Sequence, residues 1–196
     1  MPDAPISDSN TPLSRDEQAD LIPNLATREE LNEWERDNIL RARQWALTDR
    51  QLARLNPVSE RYVRELHRRM FDQTWEWAGT YRKTEKNLGV PVHQILEKLG
   101  QLLGDAEYWL DQKTYEVDEC AVRFHYKLVI IHAFPNGNGR HARLIADVVA
   151  MKNARDIFSW GSKDLIAPGE ARDAYLRVLR AADRGDLKPL LRFARS

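Results

Sequence analysis

The stretch Leu144-Ile145-Ala146-Asp147-Val148-Val149-Ala150-Met151 constrains this chain more than any other. It follows Arg140-His141-Ala142-Arg143 and is apolar nearly all round, so as a helix it has no face to offer water and must be enclosed by other elements. No apolar run approaches the ~18–20 residues that cross a bilayer, so this helix reads as central and buried in a helical domain. Helical stripes supply the enclosure. Thr27-Arg28-Glu29-Glu30 is a capping box, and the helix it opens carries Leu31, Trp34, Asn38, Ala42 and Trp45 at steps of three and four. Ser59 caps a second stripe of Tyr62, Val63, Leu66, Met70 and Phe71. Ile95 to Leu110 is strongly amphipathic; a helix capped by Asp118 carries Ala121, Phe124, Leu128 and Ile131 to its end near His132. Pro168 and Gly169 open a helix with Tyr175, Leu179 and Ala182, and Asp186 caps a last one ending at Phe193. Ile157 to Trp160 reads as a short strand-like piece. The pattern predicts a mainly α fold.

With 196 residues and no repeat or linker, residues 23–196 form one domain, large enough to bury roughly 70% of its unfolded surface. Residues 1–22, rich in Pro, Ser, Asp and Thr, read as an extended or mobile arm in which Ser14 and Glu17 can cap one turn. From Thr80 to about Gln94 the texture changes: Tyr81-Arg82-Lys83-Thr84 and Val90-Pro91-Val92 flank Asn87-Leu88-Gly89, which predicts a small β-hairpin flap. Lys and Arg (30) balance Asp and Glu (30), which argues against gripping nucleic acid by bulk charge but leaves room for a local cationic pocket. Cys120 is the only cysteine, which excludes an intramolecular disulfide and a Cys-cluster metal site. The start, Met1-Pro2-Asp3-Ala4-Pro5, lacks a signal-peptide pattern, so a soluble cytoplasmic protein with no membrane partner is expected.

Between His132 and Arg143 the sequence stops looking like scaffold. Gly137 and Gly139 let backbone N–H groups point one way as an anion nest. Asn138 suits the N-cap of the next helix, whose free N–H groups add positive potential. Arg140 and Arg143 then sit in its first turn, where a cation costs about 0.3–1 kcal/mol and an acid is preferred. A phosphate-rich ligand resolves that conflict, because each guanidinium offers paired, charge-assisted donors. The alternative is that the glycines only turn the chain and the arginines reach solvent or internal acids. No Gly-Lys-Ser/Thr follows and a third Gly is missing, which excludes a Walker loop and a dinucleotide fingerprint. His132, at the other end of the loop, has the chemistry of a general base.

His132-Ala133-Phe134-Pro135-Asn136-Gly137-Asn138-Gly139-Arg140-His141-Ala142-Arg143 resembles the defining motif of the Fic/Doc family, His-x-Phe-x-Asp/Glu-Gly-Asn-Gly-Arg-x-x-Arg. The Leu31 to Glu35 helix, Trp77-Ala78-Gly79 with the flap, and the Tyr175 to Phe193 tail are similar to the subgroup called mobile mystery protein B. The resemblance implies a Fic-type helical bundle with a hairpin flap, and protein adenylyltransferase activity with ATP as donor and a protein hydroxyl as acceptor. It implies His132 as the base that deprotonates the hydroxyl, and Phe134 as loop anchor. Asn136, Gly137, Asn138, Gly139, Arg140 and Arg143 would bind the nucleotide, with Arg140 and Arg143 also catalytic. The flap, through Lys83, Thr84, Leu88, Gly89 and Val90, would register the target by strand addition. The subgroup implies a companion helix-turn-helix protein encoded alongside, as in mobile-element toxin–antitoxin pairs.

One departure matters. The family's acid, which binds Mg²⁺ on the nucleotide, is Asn136 here, whose amide oxygen can ligate Mg²⁺ but lacks the charge that this hard cation favours. Weaker metal binding, another donor or reduced activity is expected, and the alternative functions are a nucleotide-binding module with little chemistry or a toxin-like component of a mobile-element gene pair. The retained Gly-Asn-Gly-Arg argues against the Doc-like kinase variant. The inhibitory string Ser/Thr-x-x-x-Glu-Gly/Asn is not found; Asp37-Asn38 is the nearest approach, against the plainer expectation that Asn38 is hydrogen-bonded within the core. His125 buttresses the core or loop. His67 belongs to a helix face and His93 to a loop, neither with metal-ligand spacing. Arg61, Arg64, Arg68 and Arg69 form a solvated face.

Overall fold

The computed structural model of the chain describes residues 14–162 and 169–196. The described residues form nine α-helices: α1 (Arg15–Ala19), α2 (Arg28–Ala46), α3 (Asp49–Arg54), α4 (Glu60–Phe71), α5 (Ile95–Asp111), α6 (Val117–Ile131), α7 (Asn138–Lys152), α8 (Glu170–Asp183) and α9 (Lys188–Arg195). The stripes explain the packing. α7, apolar on all sides, lies against α6; α6 packs on α5, α2 on α4, and α8 on α9. Thr27 and Ser59 cap as their sequence predicts, accepting from the N–H groups of Glu30 at 3.1 Å and Tyr62 at 3.3 Å. Asp147 is the one acid inside α7, and it ties three segments together. It accepts from Arg43 of α2, from the Phe158 N–H and from the Trp160 indole, each at 3.1 Å. Among the described residues no helix is long and apolar enough to cross a membrane.

Several local expectations are corrected. Among the described residues there is no β-strand, only an antiparallel bridge between Leu21 and Trp75. The flap is therefore not a hairpin. The buried Arg82 side chain lies inside it and donates to the carbonyls of His132 at 2.7 Å, Thr84 at 3.0 Å and Val90, taking acceptors that a ladder would use. Residues 155–159 are likewise coil. On α2 the buried face is Glu35, Asn38, Ala42 and Ala46, whereas Trp34 is 44% exposed with its indole donating to the Gln73 carbonyl at 2.8 Å. Asp118 does not cap α6; its carboxylate holds Arg195 at 2.5 Å and Arg155 at 3.5 Å.

The expected arm divides. Residues 1–13 lie outside the described residues, as does Pro168. Residues 14–22 are docked: Ser14 and Glu17 close a capping box, Ile22 donates to the Thr74 carbonyl at 2.9 Å, and Glu76 donates to that of Asp20 at 3.0 Å.

Candidate active site

The loop from His132 to Gly137 joins the two central helices, so both of its ends are fixed by the core. His132 ends α6 in the left-handed conformation (φ 53°, ψ 55°), its N–H donating to the Leu128 carbonyl at 3.1 Å. Gly137 begins α7 at φ 76°, and a Cβ there would overlap the Phe71 ring, so only glycine fits. Phe134 is buried between them, stacked on His67 with ring centroids 3.7 Å apart and edge-on to His141 at 5.2 Å. Asn138 does not cap α7. Its side chain brackets Phe134 instead, accepting from the Phe134 N–H at 2.9 Å and donating to its carbonyl at 2.8 Å. With Gly137 as N-cap there is no side-chain cap, and the first-turn N–H groups of α7 have no intrahelical acceptor.

His67 completes the support. Its Nδ1 accepts from the Gly79 N–H at 3.0 Å, so Nε2 carries the proton and donates to the Asn136 carbonyl at 3.0 Å. Three apparently unattached histidines thus acquire structural partners: His67, His141 donating to the Val63 carbonyl at 2.9 Å, and His125 at 2.9 Å from the Tyr175 hydroxyl.

The His132 imidazole is buried, and burial, then the Arg82 charge, lowers it to about 4. A hydrogen bond to the Val129 carbonyl opposes this, and Lys86 adds to it. The ring is neutral at pH 7, with one nitrogen donating to Val129 and the other an acceptor. Lys83, Leu88 and Gly89 of the flap are exposed, Thr84 and Val90 half-buried. Gly89 packs directly on the histidine: a Cβ there would come within 2.6 Å of the His132 Cβ.

The far end of the loop gathers charge. Arg140 pairs with Glu35 of α2, donates to the Asn136 Oδ1 at 3.4 Å, and lies 5.0 Å from the Phe71 ring centroid. The other Glu35 oxygen accepts from the Trp75 indole at 2.8 Å. Arg143 lies 5.2 Å from the Tyr175 ring centroid and hydrogen-bonds its hydroxyl. One turn before Tyr175 stands Arg172, whose guanidinium is pushed below its usual range by burial and then by the charges of Arg143 and Arg140. Three cations, of which Arg140 is paired with Glu35, thus gather at the N-terminal turns of two helices, where the helix ends add positive potential.

The structure therefore sets His132 at one end of the loop and the Asn136–Arg143 segment at the other, with Phe134 buried between them and Gly89 of the flap against the His132 Cβ. It takes Asn38 elsewhere: Asn38 donates to the Arg69 carbonyl and accepts from the Gln73 N–H, both at 3.0 Å. Glu35, not Asp37 or Asn38, is the α2 residue that reaches a motif arginine. The signal was in the pattern, because Asn38 and Ala42 extend to Glu35 and Ala46 at helical spacing as readily as to Trp34 and Trp45. His67 shares the spacing of Val63, Leu66 and Met70 and was readable the same way. Arg172 and Tyr175 needed the tertiary contact of α8.

Asn136 is a poor seat for a resident Mg²⁺. Its side-chain oxygen already accepts from the Gly137 N–H at 2.5 Å and from Arg140. Among the described residues no group of three or more His, Cys, Asp or Glu could hold a metal ion. The donor set does not fit the ion as a fixed cofactor.

Comparison with known proteins agrees with this geometry. The model of the Fic/DOC family matches residues 57–150. A curated relative, "Protein adenylyltransferase fic-1" of Caenorhabditis briggsae, is 35% identical over 135 residues, covering 67% of this chain and 25% of that protein. The chain thus spans about a quarter of the length of that relative. The solved structure of Fic-1 (residues 134–508) from C. elegans is 29% identical with a TM-score of 0.65, covering 91% of this chain and 51% of that one. BepC from Bartonella tribocorum, solved with bound AMPPNP, is 18% identical with a TM-score of 0.66 over 93% of this chain and 97% of that one, and shares the fold. Motif, loop architecture and helical frame together place the chain in the Fic/DOC family.

Proposed function

We propose that this domain is a nucleotidyltransferase that moves AMP from ATP to a hydroxyl side chain of a protein. The observation that carries it is a neutral, buried His132 at one end of a short loop whose other end presents an uncapped helix N-terminus and arginines. The acceptor nitrogen of His132 takes the hydroxyl proton, and the oxygen forms a bond to the α-phosphorus. The bond from that phosphorus to the bridging oxygen of the β-phosphate breaks, and pyrophosphate leaves with the electron pair. Arg143 and the N–H groups of α7 stabilise the charge that builds on the phosphates, the main task in phosphoryl-type transfer. The structural part played by Phe134 is to hold the loop; the flap would align the acceptor.

Mg²⁺ belongs here as part of the nucleotide substrate, screening its phosphates, rather than as an ion held by the protein. A reaction that consumes ATP fits a cytoplasmic setting, and the subgroup resemblance supports a companion helix-turn-helix protein. The test is incubation with α-³²P-labelled ATP and Mg²⁺, comparing wild type with His132→Ala. Protein-bound label in wild type alone supports transfer.

A second reading, a nucleotide-binding module with little chemistry, is favoured by Asn136 and by the Glu35 pairing of Arg140. Calorimetric binding of ATP without label transfer would select it.

A further inference from the structure

The flap makes no ladder of its own, so something else must fix its shape. Its inner side is fixed by Arg82, as described, and by two backbone bonds, one to the motif loop and one to the end of α6: Arg82 N–H to the Ala133 carbonyl at 2.9 Å and Val90 N–H to that of Ile131 at 3.4 Å. Its outer side is fixed by an acid from outside the flap. Glu17 of α1 accepts from the Thr84 hydroxyl at 2.8 Å with one carboxylate oxygen and from the Lys86 ammonium with the other. The pair is nearly sealed from water, with side-chain exposures of 4% for Lys86 and 10% for Glu17.

Glu17 is itself tied to its surroundings. The second of these oxygens also takes the Ser14 N–H at 2.7 Å, and the Glu17 carbonyl accepts from the Trp77 indole at 3.1 Å. A buried ion pair of this kind adds little net stability, but it fixes one geometry, because leaving either charge alone in that setting is costly. Gly89 rests on the His132 Cβ, so the register of this segment sets what covers the imidazole.

We propose that Glu17 is a positioning residue: through Thr84 and Lys86 it holds the flap in register over His132, making residues 14–22 part of the active site. The consequence for acceptor binding rests on the transferase reading above; the clamp itself does not.

Amide hydrogen exchange on the full chain tests the clamp. Glu17→Ala should speed exchange of the amides from Thr84 to Val90 at least tenfold and leave those of α4, α6 and α7 unchanged. Glu17→Gln, which keeps one acceptor oxygen, should recover part of the protection. Thr84→Val, which removes a single bond and spares the ion pair, should give a smaller increase and guards against a Glu17 variant that misfolds. Unchanged flap exchange in Glu17→Ala and Thr84→Val overturns the clamp. With synthetic Ser-, Thr- and Tyr-containing peptides as acceptors, Glu17→Ala should raise the acceptor KM several-fold and leave the KM for ATP in place. Faster exchange with an unmoved acceptor KM overturns the positioning role. A wild type that transfers no label sinks the transferase reading, while the exchange data still judge the clamp.

Discussion

His132 owes its neutrality to burial first and to the Arg82 charge second, against the pull of Val129. A histidine lowered from 6.5 to about 4 stays unprotonated through the whole physiological range. If it is the general base, transfer should be flat from about pH 6 to 8 and decline only below about pH 5, as its cation begins to form. A pH profile of kcat/KM with an acid limb near the unperturbed 6.5 would show that another group controls the rate. The neighbouring Asn136 makes an equally local prediction. Asn136→Asp places a carboxylate where the amide oxygen now accepts from Arg140 at 3.4 Å. It should tighten ATP binding in Mg²⁺ by about 3–10-fold, roughly 0.7–1.4 kcal/mol, and raise any transfer rate. Calorimetry with and without EDTA checks this, since the gain must vanish when the metal is removed.

At the scale of elements, the contact between α2 and α7 sets two effects against each other. Glu35 holds both Arg140 and the Trp75 indole, so Glu35→Ala leaves a buried indole donor unpaired and takes the carboxylate from a mostly buried cation. The loss should be about 2–3 kcal/mol of unfolding free energy, read from urea titration. The same change frees Arg140 for phosphate, so ATP affinity should rise as stability falls; a fall in both would show that Arg140 does not face the ligand. Helix existence follows from local rules, as the Thr27 box and the Ser59 cap show, because caps and spacing act within a few residues. Which face of α2 turns inward does not, because Trp34 and Glu35 differ by one step of the helix, and their partners Gln73, Trp75 and Arg140 come from distant segments. The flap escaped for a similar reason. Polar residues around Asn87-Leu88-Gly89 look like a hairpin until Arg82 occupies the inside. The loop between α6 and α7 stands out in the sequence as a candidate phosphate site because arginines at a helix start contradict stability rules, and that contradiction needs no tertiary knowledge.

Across the whole molecule, four histidines are buried: His67, His125, His132 and His141. Burial is the leading cause that lowers each of them, with His132 and His141 at about 4 and His67 and His125 well below their usual value. In the unfolded chain all four titrate near 6.5. As pH falls through that value the unfolded state binds protons that the folded state refuses, so stability present above about pH 6.5 is lost progressively towards pH 4. For His141 alone the loss by pH 4.5 is about 2–3 kcal/mol, His132 adds a similar amount, and His67 and His125 act in the same direction. Set against a typical stability of about 5–15 kcal/mol, that is enough to unfold the domain. The acids add to this only lower down. Glu65 and Asp118, held below their usual values by their arginines, begin to lose their ion pairs as pH falls through the carboxylate range. Unfolding free energy from urea titrations at half-unit steps between pH 4.5 and 7 should therefore drop steeply from about pH 6, well above that range. A slope under about 1 kcal/mol per unit across pH 5–6 would mean that the histidines protonate in place, and that the loop between α6 and α7 is far wetter than its packing indicates.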